Sequence, residues 1–102
     1  MQAANMAPVY VALYPALAEI AREHGFALAI HGSVVRDFDL IAIPWVEEPS
    51  HPDKVVDAMT EKFAIRTVGE PDTVLHGRRR YTLLVSFGEC FCDLQFVPGG
   101  WQ

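Results

Sequence analysis

One run constrains this chain more than any other: His31-Gly32-Ser33-Val34-Val35-Arg36-Asp37-Phe38-Asp39-Leu40-Ile41-Ala42-Ile43. A turn of small residues leads straight into an alternating segment. In an extended strand, successive side chains point to opposite faces. Asp37 and Asp39 therefore share one face, with alpha carbons roughly 6.6 Å apart. Phe38 and Leu40 point the other way, into a core. Two like charges on one strand face repel each other, so a purely structural strand has no use for them. Together they form a hard, oxygen-rich site suited to Mg²⁺ or Mn²⁺, above all when phosphate oxygens complete the shell.

A second segment has the same character. Cys90-Phe91-Cys92-Asp93-Leu94-Gln95-Phe96-Val97 is an apolar strand with one acid in its middle. The preceding strand is Arg80 to Phe87, and Gly88-Glu89 reads as a two-residue hairpin turn. A lone Asp in an apolar strand calls for a partner or a cation. If this strand lies beside the acid pair with the same face outward, Asp93 is a third ligand.

The pattern of Gly-Ser, then hydrophobic-Asp-hydrophobic-Asp-hydrophobic, then a third Asp on a later strand resembles the nucleotidyltransferase fold of the DNA polymerase beta superfamily. More closely, it resembles short stand-alone proteins of that kind from bacteriophage and prophage genomes. The matching stretches are His31 to Trp45 and the later His76-Gly77-Arg78-Arg79. The likeness runs from about Phe26 to Pro98. It implies that Gly32 and Ser33 cradle nucleotide phosphates. It also implies that Asp37 and Asp39 bind metal and that Asp93 is the third carboxylate. In well-studied members a short helix separates Gly-Ser from the acids. Here only Val34-Val35-Arg36 intervenes, a shortening that the phage proteins share.

Length and charge set the remaining bounds. The 102 residues suit one domain, 1–102, and a hydrophobic fraction of 51% supplies a core. No apolar run approaches membrane-spanning length, so no membrane partner is expected. The first residues lack the pattern of a signal peptide, which points to a cytoplasmic protein. Eight basic against thirteen acidic residues, net −5, argue against general nucleic-acid binding. The one basic run is Arg78-Arg79-Arg80, which a strand would divide between two faces. It can protect a sheet edge or place arginine over a phosphate, and Arg78 and Arg79 are taken as nucleotide-binding candidates. Arg36, beside Asp37, either pairs with a carboxylate or meets a phosphate. Cys90 and Cys92 lack zinc spacing and read as reduced core residues. The four histidines are scattered, and Trp45 reads as a core cap or a base-stacking ring.

Periodicity supplies the elements. Pro8 to His24 is an amphipathic helix with Val9, Leu13, Leu17 and Ile20 on one stripe, ended at Gly25. Phe26 to His31 and Asp37 to Ile43 form an antiparallel hairpin. Ser50 is the expected N-cap of a second helix through Val55, Val56, Met59 and Phe63. Ala64 to Val68 is a short strand, Gly69 to Thr73 a turn, and Val74 to Gly77 an irregular strand. The order predicts an α+β fold: a mixed, mainly antiparallel sheet with two helices packed on one face.

The function expected is that of a metal-dependent nucleotidyltransferase-like protein. It would act on or bind nucleoside triphosphates through Mg²⁺ or Mn²⁺, with Asp37, Asp39 and Asp93 as metal ligands and catalytic carboxylates. Gly32, Ser33, Arg36, Arg78 and Arg79 would contact the nucleotide. The alternative is a non-catalytic phage or prophage module that keeps the fold and binds a nucleotide or a protein partner during assembly. The sequence leaves the base, the acceptor and the oligomeric state open.

Overall fold

The computed structural model describes residues 7–32, 34, 37–85 and 90–102. Helix α1 spans Ala7–Glu23 and helix α2 spans Pro52–Lys62. The strands are β1 (Phe26–His31), β2 (Asp37–Pro44), β3 (Ile65–Thr67), β4 (Asp72–Thr73), β5 (Arg79–Val85) and β6 (Cys90–Phe96). They form one sheet in the order β1-β2-β6-β5-β3, with β4 also paired to β5. The β2–β6 pair is parallel, and every other pair is antiparallel. This is the expected α+β class with a mixed, mainly antiparallel sheet.

Alternation along the strands divides the sheet into two unlike faces. Phe38, Leu40 and Ala42 on β2, Cys90, Cys92, Leu94 and Phe96 on β6, and Tyr81, Leu83 and Val85 on β5 are all buried. They join Tyr10, Leu17 and Ile20 of α1 and Val55, Val56 and Met59 of α2 in one core. Both helices therefore cover the same face. Tyr10 stacks on Phe38 with ring centroids 4.7 Å apart. Burial pushes the Tyr10 hydroxyl up to about 12, with the neighbouring Cys90 adding to the effect. Both cysteines are free and buried, as their apolar setting implies. Burial raises the Cys92 thiol well above its ordinary range.

Local details differ from the sequence reading at four places. In α1 the buried residue at the start of the stripe is Tyr10, not Val9, because the ring reaches across to Phe38. Pro15 lies inside this helix, where the sequence pattern offers a kink or a start; the helix instead begins at Ala7 and runs through it, with Leu17, Ile20 and Ala21 buried beyond. The N-cap of α2 is His51, one residue after Ser50: its Nδ1 accepts from the Asp53 N–H at 3.0 Å, while the Ser50 N–H donates to His24 O. Strand β4 occupies part of the expected turn, and Leu75–Gly77 is a 3-10 turn rather than a strand. A tight return explains this: the Val74 N–H donates to Arg78 O, the Gly77 N–H donates to Val74 O, and His76 takes a left-handed φ of 64°.

α1 ends where Gly25 adopts φ +91°, with its N–H bonded to Arg22 O. A side chain there would meet Val46 at 2.6 Å, so glycine is required by space as well as by dihedral angle. Among the described residues no helix is long and apolar enough to cross a membrane.

Candidate functional site on the open sheet face

The face turned away from the helices carries the odd-numbered residues of β1, β2 and β6 and the even-numbered residues of β5. Strand registration puts Asp39 directly opposite Asp93 across the parallel β2–β6 pair. On the other side, His31 of β1 is opposite Asp39, and Thr82 of β5 is opposite Asp93. His31, Asp39, Asp93 and Thr82 thus form one polar row across four strands. Asp37 lies one step along β2 on the same face, opposite Phe91. All three acids project from one side of the sheet, as expected if β2 and β6 are neighbours.

The parallel pairing is what aligns them. Adjacent strands lie roughly 4.8 Å apart, so two carboxylates in direct register sit within reach of one another. Asp39 registers the cost. Burial raises its carboxyl above the ordinary range, and the charges of Asp93 and Asp37 add to the rise, while His31 acts against it. A cation on this face would offset the repulsion from Asp93 and Asp37 and favour the ionised form of Asp39. Among the described residues no group of three or more His, Cys, Asp or Glu side chains is arranged to hold a metal ion. The donor set suits a hard cation through the Asp39–Asp93 pair, with Asp37 one step away.

The turn before β2 also reaches this point. Gly32 has φ +80°, and a Cβ placed on it would lie 2.9 Å from Asp39 Oδ2. The left-handed φ favours glycine here, and a side chain in its place would displace the Asp39 carboxylate. Val34 follows with φ +54°, an unusual conformation for a β-branched residue. Ser33 and Arg36, both expected to contact the nucleotide, lie outside the described residues, as does the Gly88-Glu89 turn.

The arginine run divides between the faces. Arg79 does not stand with the acids. It is on the helix side, where its Nε donates to Tyr81 Oη at 2.7 Å and its Nη2 donates to Asp53 Oδ1 at 3.1 Å. The Tyr81 hydroxyl also donates to Asp53. Strand alternation points this nucleotide-binding candidate at α2, on the opposite face of the sheet from Asp37, Asp39 and Asp93, where it pairs with Asp53. Arg78 does reach the acid face, through a 3.4 Å contact from its Nη1 to Gln95 Oε1. Gln95 in turn donates from Nε2 to Asp93 Oδ1 at 3.4 Å. Arg80 has the parity of Thr82 and lies opposite Gln95. The sequence reading left it out, although alternation from Thr82 was a sufficient signal.

Asp53 is a structural device with a measurable consequence. The Tyr81 hydroxyl and then Arg79 hold its carboxyl below the ordinary range, against the opposing effect of burial. Asp53→Ala leaves the buried Tyr81 hydroxyl without its acceptor and removes an acid from the first turn of α2. The expected loss is about 1–2 kcal/mol in urea denaturation, at the lower end for such a group because the carboxylate is half exposed. A depressed folded value means that this stability is present above the unfolded Asp value, about 3.9. It is lost as pH falls through the lower folded value. The gap between wild type and variant should close on acidification, and a gap that widens would contradict the assignment.

Elsewhere Trp45 is 59% exposed, so it does not cap the core. It lines an open cavity of about 420 Å³ with Tyr14, Phe26 and Leu28. No family model, curated protein or solved structure matches the chain.

Proposed function

We propose that this chain is a minimal nucleotidyltransferase-like domain that binds a nucleoside triphosphate through a divalent ion on the open sheet face. One observation carries the reading: Asp39 and Asp93 are in direct register across a parallel strand pair, with Asp37 on the same face. Asp37, Asp39 and Asp93 would hold Mg²⁺ or Mn²⁺. When bound, such an ion polarises a phosphate and stabilises the oxygens that attack and leave it. The residues themselves do the rest. Gly32 keeps backbone close to the Asp39 carboxylate. Asp93, which accepts from Gln95 Nε2, would also be the carboxylate that takes a proton from an acceptor hydroxyl.

A second reading is binding without transfer, as a nucleotide-binding or assembly module. The short Val34-Val35-Arg36 link between Gly32-Ser33 and the acid strand favours it, because three residues are too few for a phosphate-holding helix. Isothermal titration with Mn²⁺, alone and then with each nucleoside triphosphate, tests the common core of both. The expected result is Mn²⁺ binding to the protein alone and triphosphate binding at least about tenfold tighter with Mn²⁺ than without. Absence of Mn²⁺ binding removes the metal-dependent reading. Release of pyrophosphate on incubation with a triphosphate would then separate transfer from binding.

A further inference from the structure

The acid face is bipolar. It presents Arg80 on β5 and Arg78 just before that strand, adjoining the carboxylates of β2 and β6. Arg80 forms a two-point pair with Asp72 of β4, Nε to Oδ1 at 3.1 Å and Nη2 to Oδ2 at 2.7 Å. The field of Asp93 also acts on its guanidinium. Arg78 is joined to Asp93 through Gln95. A polyphosphate carrying a divalent ion has the complementary pattern, a cation bound among anionic oxygens.

We infer that Arg80, with Arg78, is the phosphate-contacting group of this face, and that Asp72 is a resting counter-ion which the phosphate displaces. The inference rests on the function proposed above and names the residues that hold the anionic part of the ligand. A guanidinium already committed to a two-point carboxylate pair has the geometry to hold two phosphate oxygens instead. The exchange costs little. The Arg80 and Asp72 side chains are 39% and 52% exposed, and such surface pairs add little stability. Asp72 sits on a two-residue strand at the sheet margin, so releasing it leaves the core untouched. Gln95 lies opposite both Arg80 and Ile41 and ties Arg78 to Asp93, which places cation and anion contacts on one continuous surface.

The test is titration with inorganic tripolyphosphate, with and without Mn²⁺, on wild type and four variants. Arg80→Gln should weaken binding about tenfold in both conditions, the loss of one charge-assisted contact. It should not weaken the affinity for Mn²⁺ alone, because removing a positive charge near Asp93 can only favour a cation there. Asp72→Asn should bind severalfold tighter, beyond any gain in Glu61→Gln, which removes the same charge from the exposed surface of α2. Arg79→Gln should bind like wild type. Circular dichroism confirms that each variant is folded. Arg80→Gln at wild-type affinity, Asp72→Asn no tighter than Glu61→Gln, or no tripolyphosphate binding by wild type each overturns the inference. Failure of wild type to bind Mn²⁺ counts against the proposed function, and the metal-free titration still decides the role of Arg80.

Discussion

Asparagine at Asp39 should abolish divalent-ion binding while the protein stays folded and melts at the same or a higher temperature in metal-free buffer. The carboxylate is half-buried, faces Asp93 in register and shares its strand face with Asp37. Burial and those two charges raise its carboxyl, so the ionised form is disfavoured in the folded state. The sign follows from linkage. Between the unfolded value, about 3.9, and the raised folded value, the native state holds a proton that the unfolded chain has lost. Stability from this group therefore falls as pH rises through that window and stays lower above it. Asn carries no charge and removes the penalty. The difference should be largest at neutral pH and vanish where both states are protonated. Thermal melts across that range measure it, beside Mn²⁺ titration of the same samples. A variant that unfolds makes Asp39 structural. One that binds Mn²⁺ like wild type takes the acid out of the site.

One residue away the expected effect reverses. Phe38→Ala should cost about 3–5 kcal/mol in urea denaturation, the usual range for emptying a buried phenylalanine site. Phe38 is fully buried at 0% exposure and stacks nearly parallel on Tyr10, with 13° between ring planes. The stacked pair adds to the loss beyond the area it buries. Alanine would open a cavity between β2 and α1, in the middle of the core and bounded by rigid strand backbone. The acid face is on the other side of the same strand. Where the variant still folds, its affinity for Mn²⁺ should match that of wild type. A loss below about 1 kcal/mol would show that α1 does not pack on β2 as described.

The alternation from Asp37 to Ile43 by itself determined which side chains meet the core and which meet solvent, because a strand side-chain period of two allows only one assignment. The positions of β1, β2 and β6 and the shared face of Asp37 and Asp39 follow from that rule. So does the division of the arginine run, with Arg80 on the face of Thr82 and Arg79 on the other, although only the structure shows that Arg79 meets Asp53. Helix boundaries were legible where a glycine ends α1, and less so at α2, whose cap is a histidine ring rather than the preceding serine. What no local pattern holds is the neighbour of a strand. Asp93 is separated from Asp39 by α2 and three strands in sequence, and only the parallel β2–β6 pairing sets them in register. The same long-range packing turns Arg79 toward Asp53 and leaves Arg80 beside the acids. Sequence periodicity assigns a side chain to a face, but the partner across that face comes from tertiary pairing between segments far apart in the chain.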